Sequence, residues 1–356
     1  MPAFEVKTAR STYRCVVEKG MLQRASSYLP EQAGKLFVLT TRDVWDLHRG
    51  SLDRAITESC TTLFFPGGEQ NKRLSCVEAL ADEMLDSHAD RSSIVIGFGG
   101  GIVTDIAGFL AAIYMRGIPV LQIPTTLLGQ VDAAIGGKTG VNLAAGKNLV
   151  GSFHQPAAVL IDPDVLGTLP SREYHAGLYE VIKYGIIRDP HLFDMLERQS
   201  DAILARAPEM VEHLIAASVR IKAEVVSADE RESDLRRVLN FGHTIGHAIE
   251  AATGYERFLH GEAIGWGMLS AIRLAELTGH LQHQIAKRMS DLVRLYGPLP
   301  SAEGLDPESL VQRLASDKKT LQGKVHFVLP TAIGQTTVVT GIDPALIREA
   351  MAGTLH

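Results

Sequence analysis

This chain lacks most of the features that would settle its class at a glance. No uncharged apolar run approaches the roughly 18 residues that a membrane-spanning helix needs. The N-terminus shows no basic region followed by a hydrophobic stretch, so secretion is not expected. Cysteine is scarce: Cys15, Cys60 and Cys76 are odd in number and carry no metal-ligand spacing. A disulfide framework is thereby excluded, and free thiols in a reducing cytoplasm are expected. Positive charge is not in excess either. Lys and Arg number 35 against 41 Asp and Glu, a net charge of -6, which removes the electrostatic case for a nucleic-acid partner. Two motifs are incomplete. Thr244 follows His243 where the Glu of a zinc-protease HExxH would stand, and Asp132 occupies the place of the upstream glycine that a P-loop ending in Gly136-Gly137-Lys138-Thr139 would require.

What is present reads as a globular chain of two parts. Apolar residues make up 46% and charged residues 21% of 356, and that length favours two domains. Up to about residue 165, apolar runs of strand length alternate with helical segments: Lys35 to Thr40, Thr61 to Phe65, Ser93 to Phe98, Pro119 to Ile123 and a short run at Val159 to Ile161. Continuous apolar strands separated by helices predict a parallel sheet covered on both faces, a Rossmann-like α/β domain. Glu5 to Val17 alternates like an antiparallel edge hairpin. After Leu169-Pro170 the pattern turns helical, with two short strands near Val325 to Leu329 and Gln335 to Val339. The reading is an α/β domain at 1–168 and a mostly helical domain at 169–356.

The chemistry-bearing residues each leave more than one reading open. Gly99-Gly100-Gly101 follows a strand and opens a helix containing Asp105, which suits a phosphate at a helix N-terminus, or simply a tight turn. Ile102 stands where the third glycine of a dinucleotide fingerprint would fall. The segment from Lys138 to Asn148 is rich in Gly, Lys and Asn and is either an anion-binding loop or a solvated turn. Glu180 and Lys183 lie one helical turn apart, as an exposed ion pair or as groups aimed into a cavity. His243 and His247, four apart, share a helix face, and His260 follows closely. They are metal ligands, or one core and one exposed histidine. A Glu joining two of them would give the three-ligand zinc site that leaves a position open. Lys222, Arg236 and Asp317-Lys318-Lys319 add further charge.

The order of these pieces carries more than any one of them. Gly99 to Asp105, Tyr114-Met115-Arg116-Gly117, Pro124 to Leu128, Gln130 to Asn142, Gly146-Lys147-Asn148, Thr168 to Glu173, Gly177 to Gly185, Asn240 to Glu250, Leu259 to Ile264 and Asp317-Lys318-Lys319 run in one sequence. Over nearly the whole chain this set resembles the 3-dehydroquinate synthases, sugar-phosphate cyclases of the shikimate pathway. The resemblance implies a nucleotide-binding domain, a metal-binding helical domain, an active site between them, and a homodimer. It implies a zinc or cobalt ion on Glu180, His243 and His260, and NAD against Glu69, Lys72, Gly100, Gly101, Asp105, Thr125, Thr126, Lys138, Lys147, Thr168, Leu169 and Glu173. Where many such proteins have Asp or Asn after Thr40, this chain has Thr41, with Asp43 nearby.

The implied substrate is 3-deoxy-D-arabino-heptulosonate 7-phosphate, and the implied reaction is transient oxidation, phosphate elimination, reduction and aldol closure. Lys138, Asn148, Asn240 and Lys318 or Lys319 would line its phosphate end, with Arg116 reaching in from a partner subunit. Lys222 and Arg236 would hold its carboxylate, while Asp132, Lys183 and His247 contact hydroxyls or relay protons. Another sugar-phosphate cyclase, a metal-dependent polyol dehydrogenase and a non-catalytic binding protein are the rival readings.

Overall fold

The structure, a computed structural model, describes residues 2–9, 11–56, 60–232, 234–316 and 325–355. Its elements begin with strands β1 (Ala3–Lys7), β2 (Thr12–Val17) and β3 (Leu36–Thr40), helix α1 (Arg42–Ala55), β4 (Cys60–Phe64) and α2 (Leu74–Asp86). There follow β5 (Ile94–Gly99), α3 (Gly101–Ile113), β6 (Val120–Pro124), β7 (Lys138–Leu143), β8 (Gly146–Phe153) and β9 (Ala158–Ile161). The later part holds α4 (Ser171–Ile187), α5 (Pro190–Arg198), α6 (Ser200–Leu204), α7 (Pro208–Ala228), α8 (His243–Ala252), α9 (His260–Leu277), α10 (His283–Leu295) and α11 (Pro307–Ser316). Strands β10 (His326–Ala332) and β11 (Gln335–Thr340) and helix α12 (Pro344–Ala352) close it.

Two compact units emerge, 1–174 with 208–231, and 175–207 with 232–356. The sequence leads to an expected division at 168/169; the first of these units runs on to residue 174 and also takes in a later segment. Helix α7, reached from the second unit, belongs to the first, where it packs on β1 and β2. Its buried stripe of Val211, Leu214, Ile215, Val219 and Ile221 is a core-facing helical face that the first unit's sheet edge accommodates.

In the first unit seven strands run in the order β1-β2-β9-β6-β5-β3-β4, all parallel except β1, which pairs with β2 as an antiparallel edge hairpin. Every residue of β3, β5 and β9 is buried, as expected of strands covered on both faces. Successive side chains of β5 enter opposite cores. Val95 joins Val77 and Leu80 of α2 and Ile106 and Leu110 of α3, whereas Ile94, Ile96 and Phe98 join Leu52 of α1 with Met21 and Val165. Chain order reverses at β3, with β4 on one side and β5 on the other. In an open α/β sheet, ligands bind outside the carboxyl ends of the strands at such a switch point.

The second unit is helical, and its tightest packing is made by glycine. A Cβ on Gly261 would lie 1.8 Å from the Ala176 carbonyl oxygen of α4, and one on Gly267 would lie 1.9 Å from the Gly242 carbonyl oxygen at the start of α8. No side chain fits at either place, so α9 sits directly against both backbones. Gly267→Ala should cost about 3 kcal/mol through forced separation of α8 and α9. The check is the denaturant midpoint at unchanged m-value; a shift below a tenth of that size would show the helices part freely.

Candidate active site

The two close approaches of α9 bring together three polar side chains in the second unit. Gly261 seats the N-terminus of α9, and so His260, against the α4 turn that precedes Glu180. Gly267 and Gly242 fix α8, and so His243, against α9. The ligand-type atoms of Glu180, His243 and His260 lie within 4.8 Å of one another. His243 Nε2 is 3.5 Å and His260 Nε2 3.7 Å from Glu180 Oε1.

Each imidazole is oriented from behind. Nδ1 of His243 donates to the Phe241 carbonyl at 3.0 Å, which leaves Nε2 with its lone pair toward Glu180. His260 turns Nδ1 toward Glu250 Oε2 at 3.4 Å. A carboxylate or carbonyl holding the far nitrogen is how metal-ligating histidines are aligned. Burial, followed by the nearby Lys183 charge, holds His243 well below the ordinary histidine pKa, so it is the neutral donor a metal requires.

Glu180 supplies the test of fit. It is fully buried, with the Lys183 ammonium against Oε2, while Oε1 receives no hydrogen bond among the described residues. A buried carboxylate so poorly satisfied is expensive, and a cation facing it offsets that cost. Two nitrogens and one oxygen converging from separate helices suit zinc or a similar ion with one position left open. His247 lies beside them, its ring 5.4 Å from His243 and 5.8 Å from His260, and it forms with Glu250 and His260 a second group of possible ligands. Sequence reasoning did not single out Glu250. Its signal was the i,i+3 spacing from His247 on the helix carrying the histidines.

The first unit holds a different cluster, at the carboxyl ends of β5 and β6. Gly100 caps α3 in an extended conformation with no side-chain cap, so the helix N-terminus is open to an anion. A Cβ on Gly100 would meet Thr126 Cγ2 at 3.0 Å, and one on Gly101 would meet Ala133 Cβ at 3.1 Å. The turn is thus a bare-backbone cradle next to Thr125 and Thr126, as a pyrophosphate needs. One helical turn on, Asp105 pairs with the buried Lys72 at 2.5 Å. Burial pushes the Asp105 carboxyl above its ordinary pKa, opposed by Lys72.

Lys72 also donates to Asn148 Oδ1 at 2.6 Å, while the Asn148 N–H donates to Asn142 Oδ1 and the Asn142 amide to Glu69. Lys147 faces Glu69 at 3.7 Å. The stretch from Lys138 to Asn148, left open as a loop or an anion site, is in fact the β7–β8 hairpin, and this network holds it. Asn148, expected with Lys138 at a phosphate, accepts from Lys72 through Oδ1, and Lys138 is exposed at the start of β7.

Asp132 sits in a π-helical turn, Gly129–Ala133, a distortion frequent at functional sites. It accepts from Lys222 Nζ of α7 at 2.7 Å, and Lys222 is buried. Met115 (φ 46°) and Arg116 (φ 71°) hold left-handed backbone that costs about 1 kcal/mol or more each, with Arg116 left exposed. Thr168 and Leu169 end the turn after β9, and Glu173 lies in the first turn of α4. In the second unit Arg236 is buried within the turn Leu235–Asn240, and Asn240 donates to Glu232 at 2.5 Å. Lys318 and Lys319 lie outside the described residues.

Comparison with known proteins matches both units. The family model for the 3-dehydroquinate synthase N-terminal part covers residues 62–176, and that for its C-terminal part covers 177–320. A 3-dehydroquinate synthase of Solibacter usitatus (strain Ellin6076) is 59% identical over 357 residues, covering 100% of both chains. Among solved structures, a 2-epi-5-epi-valiolone synthase from Streptomyces hygroscopicus subsp. jinggangensis 5008 with NAD+ and Zn2+ bound is 30% identical at a TM-score of 0.88, covering 98% of each chain. A 2-deoxy-scyllo-inosose synthase complexed with carbaglucose-6-phosphate, NAD+ and Co2+ is 27% identical at a TM-score of 0.87, covering 99% of this chain and 100% of that one. Identity at this level along the entire length leaves no part of the chain unaccounted for, and it belongs to the 3-dehydroquinate synthase family.

Proposed function

We propose that this chain is an NAD-dependent carbon–oxygen lyase that converts 3-deoxy-D-arabino-heptulosonate 7-phosphate to 3-dehydroquinate and phosphate, a step of the shikimate pathway. The carrying observation is the full-length identity with a 3-dehydroquinate synthase, in a chain that retains Glu180, His243 and His260 as a converged ligand set. When bound, NAD accepts and returns a hydride, and the divalent metal polarises the neighbouring hydroxyls.

The chain's own residues do the rest. Gly100, Gly101, Thr125 and Thr126 offer backbone and hydroxyl donors to the pyrophosphate. The Lys72–Asp105 pair, with Glu69 and Lys147, fixes the polar wall beside it. Lys222, aligned by Asp132, and Arg236 take the substrate carboxylate; Lys138, Asn148, Asn240 and one of Lys318 or Lys319 take its phosphate. For Asn148 this requires release from Lys72. His247 and Lys183 exchange protons with substrate hydroxyls, and the leaving phosphate removes the proton for its own elimination. Orientation and preorganised charge then supply most of the acceleration.

The test follows phosphate release and NADH absorbance together, with catalytic NAD and with or without chelator. Chelator-sensitive release over many turnovers per NAD, without NADH accumulation, is expected. Stoichiometric NADH would replace this reading with a dehydrogenase. Lys72→Met should weaken NAD binding about tenfold or more by leaving the half-buried Asp105 without its cation. Titration calorimetry reads this directly, and unaltered affinity would remove Lys72 from the cofactor's surroundings.

We also propose a cytoplasmic homodimer. No helix among the described residues is long and apolar enough to cross a membrane. Ile113 and Met115, beside the strained Arg116 in the chain, and Leu143, Leu149 and Phe153 of the β7–β8 hairpin are exposed in the first unit, apolar side chains that a second copy would cover. Sedimentation should give twice the chain mass. Phe153→Asp should shift it toward monomer, with Arg116 then unable to serve a neighbouring site.

A further inference from the structure

The strained backbone at Arg116 is held by a residue that has no part in the chemistry above. Met115, Arg116 and Gly117 take φ of 46°, 71° and 121° in succession, shortly before β6. The two residues that are not glycine persist in such a conformation only where their surroundings over-determine it. Two bonds close the turn on its own helix: the Gly117 N–H donates to the Tyr114 carbonyl and the Ile118 N–H to the Ala111 carbonyl, each at 2.9 Å. A third comes from another element. Nε2 of His154, the residue that follows β8, lies 2.9 Å from the Ile118 carbonyl oxygen. A carbonyl oxygen can only accept, so this nitrogen carries a proton and donates it. Ile118 is buried, and its carbonyl without that donor would keep an unrepaid desolvation cost.

The same residue is pinned through its main chain. Its backbone N–H donates to the Gly137 carbonyl at 2.8 Å, next to Lys138 at the start of β7. His154 therefore ties the Arg116 turn to the β7–β8 hairpin, whereas the turn's other two bonds tie it only to α3. Phe153, which precedes His154, and Met115, which precedes Arg116, are both among the exposed apolar side chains assigned to the second copy. Arg116 is itself exposed, so the place its guanidinium can reach is set by the backbone it starts from. We infer that His154 is the positioning residue for Arg116, fixing the turn from which that guanidinium meets the substrate phosphate of the neighbouring site. This rests on the dimeric reading above.

The experiment measures kcat/KM for the heptulosonate phosphate, and inhibition by inorganic phosphate, across a set of variants. Arg116→Ala should lower kcat/KM about tenfold or more, the loss of one charge-assisted hydrogen bond. His154→Phe keeps a ring and removes the donor; it should lower kcat/KM about fivefold or more and raise the phosphate inhibition constant in step. The double variant should lie within about twofold of Arg116→Ala alone. His154→Gln, whose amide reaches where Nε2 did, should return to within about twofold of the wild type, and His154→Asn, one methylene shorter, should not. Losses that multiply in the double variant would make His154 a general prop of the hairpin and overturn the assignment, as would equal activity in the Gln and Asn variants. A His154→Phe protein that sediments at the mass of one chain also overturns it, since the residue would then serve assembly rather than Arg116. If Arg116→Ala keeps the wild-type kcat/KM, the reading of Arg116 itself falls, and this one with it.

Discussion

Glu180→Gln should abolish tight binding of a divalent metal and lower turnover by at least about a hundredfold, since even outer-sphere partners of a metal ligand are worth ten- to a hundredfold. The argument turns on burial. Glu180 is fully enclosed and ion-paired through Oε2 with the equally enclosed Lys183, and its Oε1 is unmatched by a hydrogen-bond donor among the described residues. An amide in its place presents a weak ligand and leaves the Lys183 ammonium without its carboxylate. The apo protein should therefore lose about 3 kcal/mol, the cost of breaking one half of a buried pair. Zinc at a thousand times its dissociation constant should raise wild-type stability by about 4 kcal/mol, and it should leave Glu180→Gln where it was. Glu250→Gln is the contrasting variant. It loosens only the alignment of His260 and should weaken metal binding about tenfold while retaining it. Metal content by atomic spectroscopy and melting with and without zinc separate the two. Wild-type zinc affinity in Glu180→Gln would move the ion to the alternative group His247, Glu250 and His260.

The parts of this molecule that were legible in the sequence are those where one local pattern has one solution. Strand β5 is buried on both faces, so it had to be apolar at every position, and its run into Gly99-Gly100-Gly101 marked both the strand end and the helix start. The edge hairpin β1–β2 showed itself by alternation, because only one side of it is covered. The β7–β8 hairpin did not. Gly140, Gly146, Gly151, Lys147 and Asn148 prefer turns locally, and what makes them strands is remote: Val141 buried in the core with α3, and Asn142 bonded to Glu69. Helix α7 was visible as a helix, but no periodicity says which of two bodies will receive its buried stripe. The histidine spacing showed a shared helix face without deciding what it held. Glu180 could be joined to it only through the order of motifs, because the packing that unites them runs through Gly261 and the Ala176 carbonyl, a contact invisible along the chain.

The placement of α7 makes Lys222 the next residue to test, since it binds a helix from late in the chain to the π-helical turn of Asp132 in the first unit. Lys222→Met keeps most of the side chain's bulk and removes its charge. It should lower kcat/KM by about a hundredfold or more, the usual loss when one preorganised charge facing the reacting groups is deleted. Asp132→Asn should also be damaging, because it leaves a buried ammonium with a neutral partner. The double variant discriminates between two explanations. If Asp132 acts by holding Lys222, the double variant falls no further than the worse single one, and the coupling energy is about 1 kcal/mol or more. If each touches substrate independently, the losses multiply. Zinc content and NAD affinity should be unaltered throughout, which separates a substrate-binding loss from collapse of either cofactor site. A Lys222→Met enzyme within about fivefold of the wild type would make the Lys222–Asp132 pair a brace for α7 and nothing more. The substrate carboxylate would then have to be met by Arg236 without it.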